Sequence, residues 1–368
     1  MITFWEPISG ESYQFDYFFK RVNREIDADT YLIQCIDAKE LLERNQKFSK
    51  EKNFIFYYTE ELVISDDNDF DVIWSPVKKI IENFSIPEHK ITFIINYYSK
   101  SGPSGLTRKF MQSHFGNVTF VLLKYFEFKT GNIHKFLPQS FNQTYNYGKK
   151  NYLILGGKPF KYNRIPVGID LYQQGLLKNS ICTFYKEDLE QTLAFLNTED
   201  NSYNPTLVEA VIEHTSKSVD GVALDLGWNG HYQGYPYDHR LYEKTKLSLV
   251  LETHFTDHRV FVTEKTARAI YNHHPFVIFS SPHFLKELQS QGYQTFADLT
   301  DESYDSTLGA SARRYECIES VINFNYDVNK IIEITNHNKK NFDKIYQEEV
   351  QKIIDINKYY TQNSLTLH

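Results

Sequence analysis

Two short stretches of this chain gather groups suited to holding an anion. The first, Lys158-Pro159-Phe160-Lys161-Tyr162-Asn163-Arg164, carries three cations and no carboxylate. A guanidinium offers paired donors that match phosphate oxygens and an ammonium adds a point charge, so Arg164, with Lys161 and Lys158, suits a diphosphate. The second stretch is Phe261-Val262-Thr263-Glu264-Lys265, with Glu252-Thr253 a short loop upstream. Thr263 is placed to cap a helix, because its hydroxyl can accept from the unpaired N–H groups of the first turn. A lysine in that turn is out of character, since the helix dipole disfavours cations there unless an anion shares the site. Both stretches also have plain readings, a solvated basic loop for one and ordinary helix-start polarity for the other. Gly156-Gly157-Lys158 is not a P-loop, because the spacing and the Ser or Thr after the lysine are missing.

The elements around these groups decide whether they can meet. Leu247, Leu249 and Leu251 alternate with Ser248, Val250 and Glu252, which predicts a strand carrying Glu252 at its carboxyl end. Ala267, Ile270, Tyr271 and His274 fall at helical spacing behind the Thr263 cap, and Pro275 stops that helix before a strand in Phe276 to Phe279. Tyr152 to Leu155 predicts another strand, broken at Gly156-Gly157 and followed by a helix with Pro166 in its first turn. Glu252-Thr253 and Thr263-Glu264-Lys265 then come from two adjacent turns on one sheet edge, where open α/β sheets bind ligands. Lys265 is expected to be exposed there.

At these residues the chain resembles a known family. A strand ending in Glu, a short loop, aromatic-Val-Thr-Glu-Lys and a helix leading to Pro275-Phe276-Val277-Ile278 look like the donor-binding segment of α1,3-fucosyltransferase-type glycosyltransferases. They look closer still to a group of bacterial and viral sugar transferases with the same segment. The likeness continues through Gly292-Tyr293-Gln294-Thr295-Phe296 and Asp301-Glu302-Ser303-Tyr304-Asp305 to Arg313 and Arg314. It extends back to Asn151-Tyr152-Leu153-Ile154-Leu155-Gly156-Gly157-Lys158-Pro159 and Asn163-Arg164, and does not reach the residues before 149. The resemblance implies a GT-B fold and a nucleotide-sugar donor whose phosphates meet Arg164, with Lys158 and Lys161 in support. Glu252 or Glu264 would accept from the ribose hydroxyls, with Glu264 favoured; Thr253, Thr263 and Lys265 complete the donor-binding set. It also implies inversion and a guanine nucleotide, although the longer asparagine-containing loop of fucosyltransferases is missing between the two motifs.

Composition bounds the rest. With 368 residues, 41% hydrophobic and 16% aromatic, the chain is long enough for two α/β domains and rich enough to fill their cores. A net charge of −7 supplies no overall field for nucleic acid or anionic lipid. Three scattered cysteines, Cys35, Cys182 and Cys317, match neither a zinc spacing nor a disulfide framework, so buried thiols are expected. The amino terminus lacks a signal-peptide pattern and no apolar run reaches a membrane span, which leads to an expected cytoplasmic location.

Before the resemblance begins, strands are expected at Thr30 to Ile36, Asn53 to Tyr58, Ile91 to Tyr97 and Val118 to Tyr125. Helices are expected at Ser12 to Arg24, Ala38 to Arg44, Val77 to Asn83 and Leu106 to His114, an alternation that implies a parallel sheet. The acidic run Ser65 to Asp69 fits no calcium loop and is read as solvated. An inverting transfer needs a base for the acceptor proton; Glu127, beyond the last of these strands, is the candidate, against the plainer reading of a loop glutamate. Polar residues Thr130 to Lys150 suggest a linker, and the Gly- and aromatic-rich loop Gly227 to Tyr237 suggests a pocket wall or a surface excursion.

The sequence therefore predicts an α/β protein of two Rossmann-like domains facing across a cleft, residues 1–148 on the acceptor side and 149–345 binding the nucleotide sugar. Crossing helices follow, the last being residues 346–368. The expected reaction moves a sugar to a glycan or other hydroxyl acceptor, with no metal and no cofactor beyond the donor itself. One alternative is a phage-type DNA-base glycosyltransferase with nucleic acid as acceptor; another is a non-catalytic nucleotide or sugar-phosphate binding protein.

Overall fold

Short apolar runs rich in Phe, Tyr and Ile alternate with helical segments, and chains of that pattern bury sheets between helices. In this computed structural model the described residues are 30–35, 38–43, 47–58, 74–96, 113–123, 148–157, 164–184, 204–217, 239–255 and 260–365. The first sheet is wholly parallel, in the order β1 (Thr30–Gln34), β2 (Asn53–Tyr58), β3 (Ile91–Asn96) and β4 (Thr119–Leu123). Helix α1 (Ala38–Glu43) follows β1, and α2 (Ser75–Asn83) precedes β3, with Pro76, Val77 and Ile80 buried. Phe56, Phe93 and Phe120 are direct cross-strand partners, and their rings stack in a row at centroid distances of 5.5 Å for each pair. Aromatic pairs of this kind contribute beyond their buried area, which gives the abundant phenylalanines a packing role here.

The second sheet is also parallel, but its order is β6-β5-β7-β8, built from β5 (Lys150–Gly157), β6 (Ile181–Phe184), β7 (Thr245–Leu251) and β8 (Phe276–Phe279). Helix α3 (Arg164–Gln173) joins β5 to β6, while α4 (Pro205–Lys217) and α5 (His239–Lys244) come before β7. Between β7 and β8 lies α6 (Glu264–Tyr271); α7 (Phe284–Ser290), α8 (Ala310–Ile322) and α9 (Val328–Leu365) complete the order. The chain divides into one unit of Met1–Phe128, Gly230–Tyr232 and Ile345–His368 and another of Lys129–Asn229 and Gln233–Lys344. All three cysteines are buried, and none is joined in a disulfide among the described residues. Among the described residues no helix is long and apolar enough to cross a membrane. The segments Ser12 to Arg24, Ser65 to Asp69 and Gly227 to Tyr237 lie outside the described residues, as does most of Leu106 to His114.

One helix boundary differs from the sequence expectation. Helix α6 stops at Tyr271, and His274 lies beyond it, because Asn272 caps the helix and His273 takes a left-handed φ of 51°. The turn carries His274 under the amino end of β7. Its Nε2 is 3.0 Å from the Thr245 carbonyl oxygen, which can only accept, so Nε2 holds the proton and Nδ1 accepts from the Ser248 hydroxyl at 2.8 Å. Burial, the dominant cause, lowers the pKa of His274 from 6.5 to about 4. Its neutral form therefore supports the fold above pH 6.5, and that support is lost as pH falls through about 4.

Glu302 has the opposite sign. Its Oε1 accepts from the Phe296 N–H at 2.8 Å, yet burial pushes its pKa up from 4.5 to about 7. The stability contributed by the protonated form is complete below pH 4.5 and disappears as pH rises through about 7. Glu302→Gln keeps an acceptor for Phe296 without the titration. In urea titrations across pH 4.5 to 8, the variant is expected to gain on the parent protein as pH rises, by up to about 3 kcal/mol. A constant difference between the two proteins at every pH would refute the assignment.

Candidate functional site

Leu247 to Leu251 are buried on both faces of β7, so the first polar residue after them emerges at the strand's carboxyl end. That residue is Glu252, and it does not face solvent: 3% of it is exposed. Its Oε2 accepts from the Thr263 hydroxyl at 2.6 Å, while Oε1 accepts from the Thr266 hydroxyl at 2.6 Å and the Thr263 N–H at 3.3 Å. Burial raises the pKa of Glu252; Lys265 and the two threonine hydroxyls oppose the shift. The carboxylate thereby ties the end of β7 to the start of α6.

Thr263 is the N-cap of α6, with extended backbone and its Oγ1 accepting from the Lys265 N–H at 3.2 Å. The cap expected from sequence is thus present. The exposure expected for Lys265 is not, since only 12% of its side chain is accessible. Its Nζ donates to Thr263 Oγ1 at 3.1 Å and Thr253 Oγ1 at 3.4 Å, and lies 3.4 Å from Glu264 and 4.0 Å from Glu252. The misfit of a lysine at the positive end of a helix is relieved inside the protein by two carboxylates. Of those carboxylates Glu264 is the more accessible, at 22% against 1% for the side chain of Glu252.

Arg164 is the first residue of α3 and is 7% exposed. Its side chain turns back toward the strand it followed, and Nη1 donates to the Gly156 carbonyl at 3.0 Å. The register of β5 against β6 shifts between Leu155 and Gly157, so the carboxyl end of β5 is irregular just where Arg164 reaches it. Glu127, Lys158 and Lys161 lie outside the described residues.

The order of the second sheet relates the two turns. β5 and β7 are neighbours in parallel register, Tyr152 opposite Leu247 and Leu153 opposite Ser248, and continuing that register puts Gly156-Gly157 level with the Leu251-Glu252 end of β7. From β5 the chain crosses through α3 to β6 on one side; from β7 it crosses through α6 to β8 on the other. Neighbouring strands whose connections depart in opposite directions form the switch point of an open α/β sheet, outside whose carboxyl ends ligands bind. Arg164 and the group Glu252, Thr253, Thr263, Glu264 and Lys265 border that point.

Two further residues take part that the sequence reading left without a role. Arg313, buried in α8, donates to the carbonyls of Ser280 at 2.9 Å, Thr307 at 2.6 Å, Leu308 at 3.0 Å and Phe255, and its guanidinium lies 4.6 Å from the Phe255 ring centre. Phe255 belongs to the loop that leaves Glu252. The next residue, Arg314, pairs with Asp170 of α3, Nε to Oδ2 at 2.6 Å. A sequence signal for Arg313 exists: it occupies the same helical stripe as the buried Cys317, Ser320 and Val321, where a cation needs acceptors.

Compared with known protein families and with curated proteins, the chain matches no family model and no curated protein.

Removing the Glu252 carboxylate leaves two buried hydroxyls and a buried N–H without their acceptor and takes from Lys265 one of its two neighbouring carboxylates. Glu252→Ala is expected to cost about 3 kcal/mol in denaturant unfolding, whereas Glu252→Gln, which keeps one acceptor oxygen, costs about 1 kcal/mol. Equal and small losses for both variants would show that the carboxylate does not hold the helix start.

Proposed function

We propose that the protein is a glycosyltransferase that moves a sugar from a nucleoside diphosphate donor to a hydroxyl acceptor. The observation that carries this reading is the sheet order β6-β5-β7-β8, which sets the Arg164 turn and the Thr263-Glu264-Lys265 helix start at neighbouring strand ends on a switch point. An anion entering there meets a guanidinium from one side and an ammonium from the other. A diphosphate is the anion that rewards two cations on separate turns, and a nucleoside diphosphate is the leaving group of sugar transfer.

In the proposed reaction the acceptor oxygen bonds to the anomeric carbon while the bond from that carbon to the phosphate oxygen breaks. The electron pair departs with the diphosphate, whose growing charge Arg164 and Lys265 stabilise. The acceptor proton passes to a base, for which Glu127 remains the proposal. Glu264 accepts from the ribose hydroxyls in this reading, since Glu252 is committed to the helix start. The reading carries with it the GT-B organisation, a donor-binding second unit and an acceptor-presenting first unit.

Nucleoside diphosphates are expected to raise the melting temperature more than the matching monophosphates, because a ligand bound only by the native state stabilises in proportion to its affinity. Lys265→Ala is expected to remove most of that difference while keeping a cooperative transition. With a panel of nucleotide sugars, the parent protein is expected to release free nucleoside diphosphate. Diphosphate stabilisation without release from any donor would favour the non-catalytic binding protein, and absence of both would defeat the anion site altogether.

A further inference from the structure

We propose that Arg314 and Asp170 form a positioning pair that sets the spacing between the two turns of the anion site, an inference resting on the diphosphate reading above. Successive residues of a helix project about 100° apart, so Arg313 and Arg314 serve different neighbours. Arg313 holds the Phe255 carbonyl and ring, fixing the loop that follows Glu252 and Thr253. Arg314 holds Asp170, six residues along α3 from Arg164, or about 9 Å at the usual rise of a helix. Two consecutive side chains of α8 thus brace the loop beside one candidate cation and the helix that begins with the other.

The ion pair is more than a stray surface contact in geometry, though modest in energy. Its members stand 144 positions apart in sequence, and their side chains are 17% and 29% exposed. A partly exposed pair contributes little to overall stability, so its removal leaves a folded protein in which α3 loses this tie to α8 and the separation of the two turns is less tightly held. Pyrophosphate must bridge both cations and is sensitive to their separation; a single phosphate can settle on either one.

The test is isothermal titration of the full chain with inorganic pyrophosphate and, separately, inorganic phosphate. The variants are Arg314→Gln, Asp170→Asn and the charge swap Asp170→Arg with Arg314→Asp, each checked by thermal melting. Each single variant is expected to weaken pyrophosphate binding about fivefold to tenfold while phosphate binding changes by less than about twofold, and the swap is expected to restore most of the loss. Unchanged pyrophosphate affinity, an equal loss for both anions, or a swap that restores nothing would each overturn the inference. If the parent protein does not prefer pyrophosphate over phosphate, the anion-site reading itself falls, and the positioning role falls with it.

Discussion

The buried carboxylate of Glu252 is the constraint on which the organisation of the second unit's strand ends depends. Taking a carboxylate out of water costs several kcal/mol unless donors replace the lost hydration. Here the replacements come from Thr263 and Thr266, and the opposing charge from Lys265, all within the first helical residues beyond the loop. The loop between β7 and α6 is thus closed by polar contacts at its base. Once closed, it fixes which residue caps α6 and where the lysine of the first turn must lie.

This arrangement gives the site an internal stand-in for an anion. A helix start normally attracts negative charge, and in α6 the place is taken by Glu252. Burial pulls the carboxyl toward its protonated form, and Lys265 is the strongest influence in the other direction. The charge state of Glu252 therefore depends on where that one ammonium lies. Glu264, more exposed and 3.4 Å from the same ammonium, meets water and any ligand first. The two glutamates therefore have separate parts, one structural and one accessible.

What could be seen without coordinates was governed by local chemistry. Strand β2 spans Asn53–Tyr58 as expected, and the cap at Thr263 follows from hydroxyl chemistry alone. Parallel pairing followed from the alternation of strands and helices, but the order β6-β5-β7-β8 did not, because it depends on which side each crossover falls. The stop at Tyr271 is not legible in the sequence, because His274 continues the apolar period while the backbone turns at His273. The burial of Lys265 was equally invisible, since the type and spacing of Glu252, Thr253 and Lys265 do not say whether they meet one another or a ligand.

The pair Arg313-Arg314 shows why such information is hard to read from a helix. Both residues sit in one run of α8, yet one is sequestered among backbone carbonyls and the other makes a partly exposed ion pair. A guanidinium suits the buried position because its donors point in fixed, divergent directions within a plane, matching carbonyls from the β7 exit, the β8 exit and the turn before α8. A lysine there would concentrate its donors at one atom and could not span those three segments. The geometry therefore requires arginine at 313 for its shape, whereas at 314 the requirement is for a cation able to reach Asp170. Adjacent identical residues are thus held by different physics, and the strand ends bordering the candidate site depend on both.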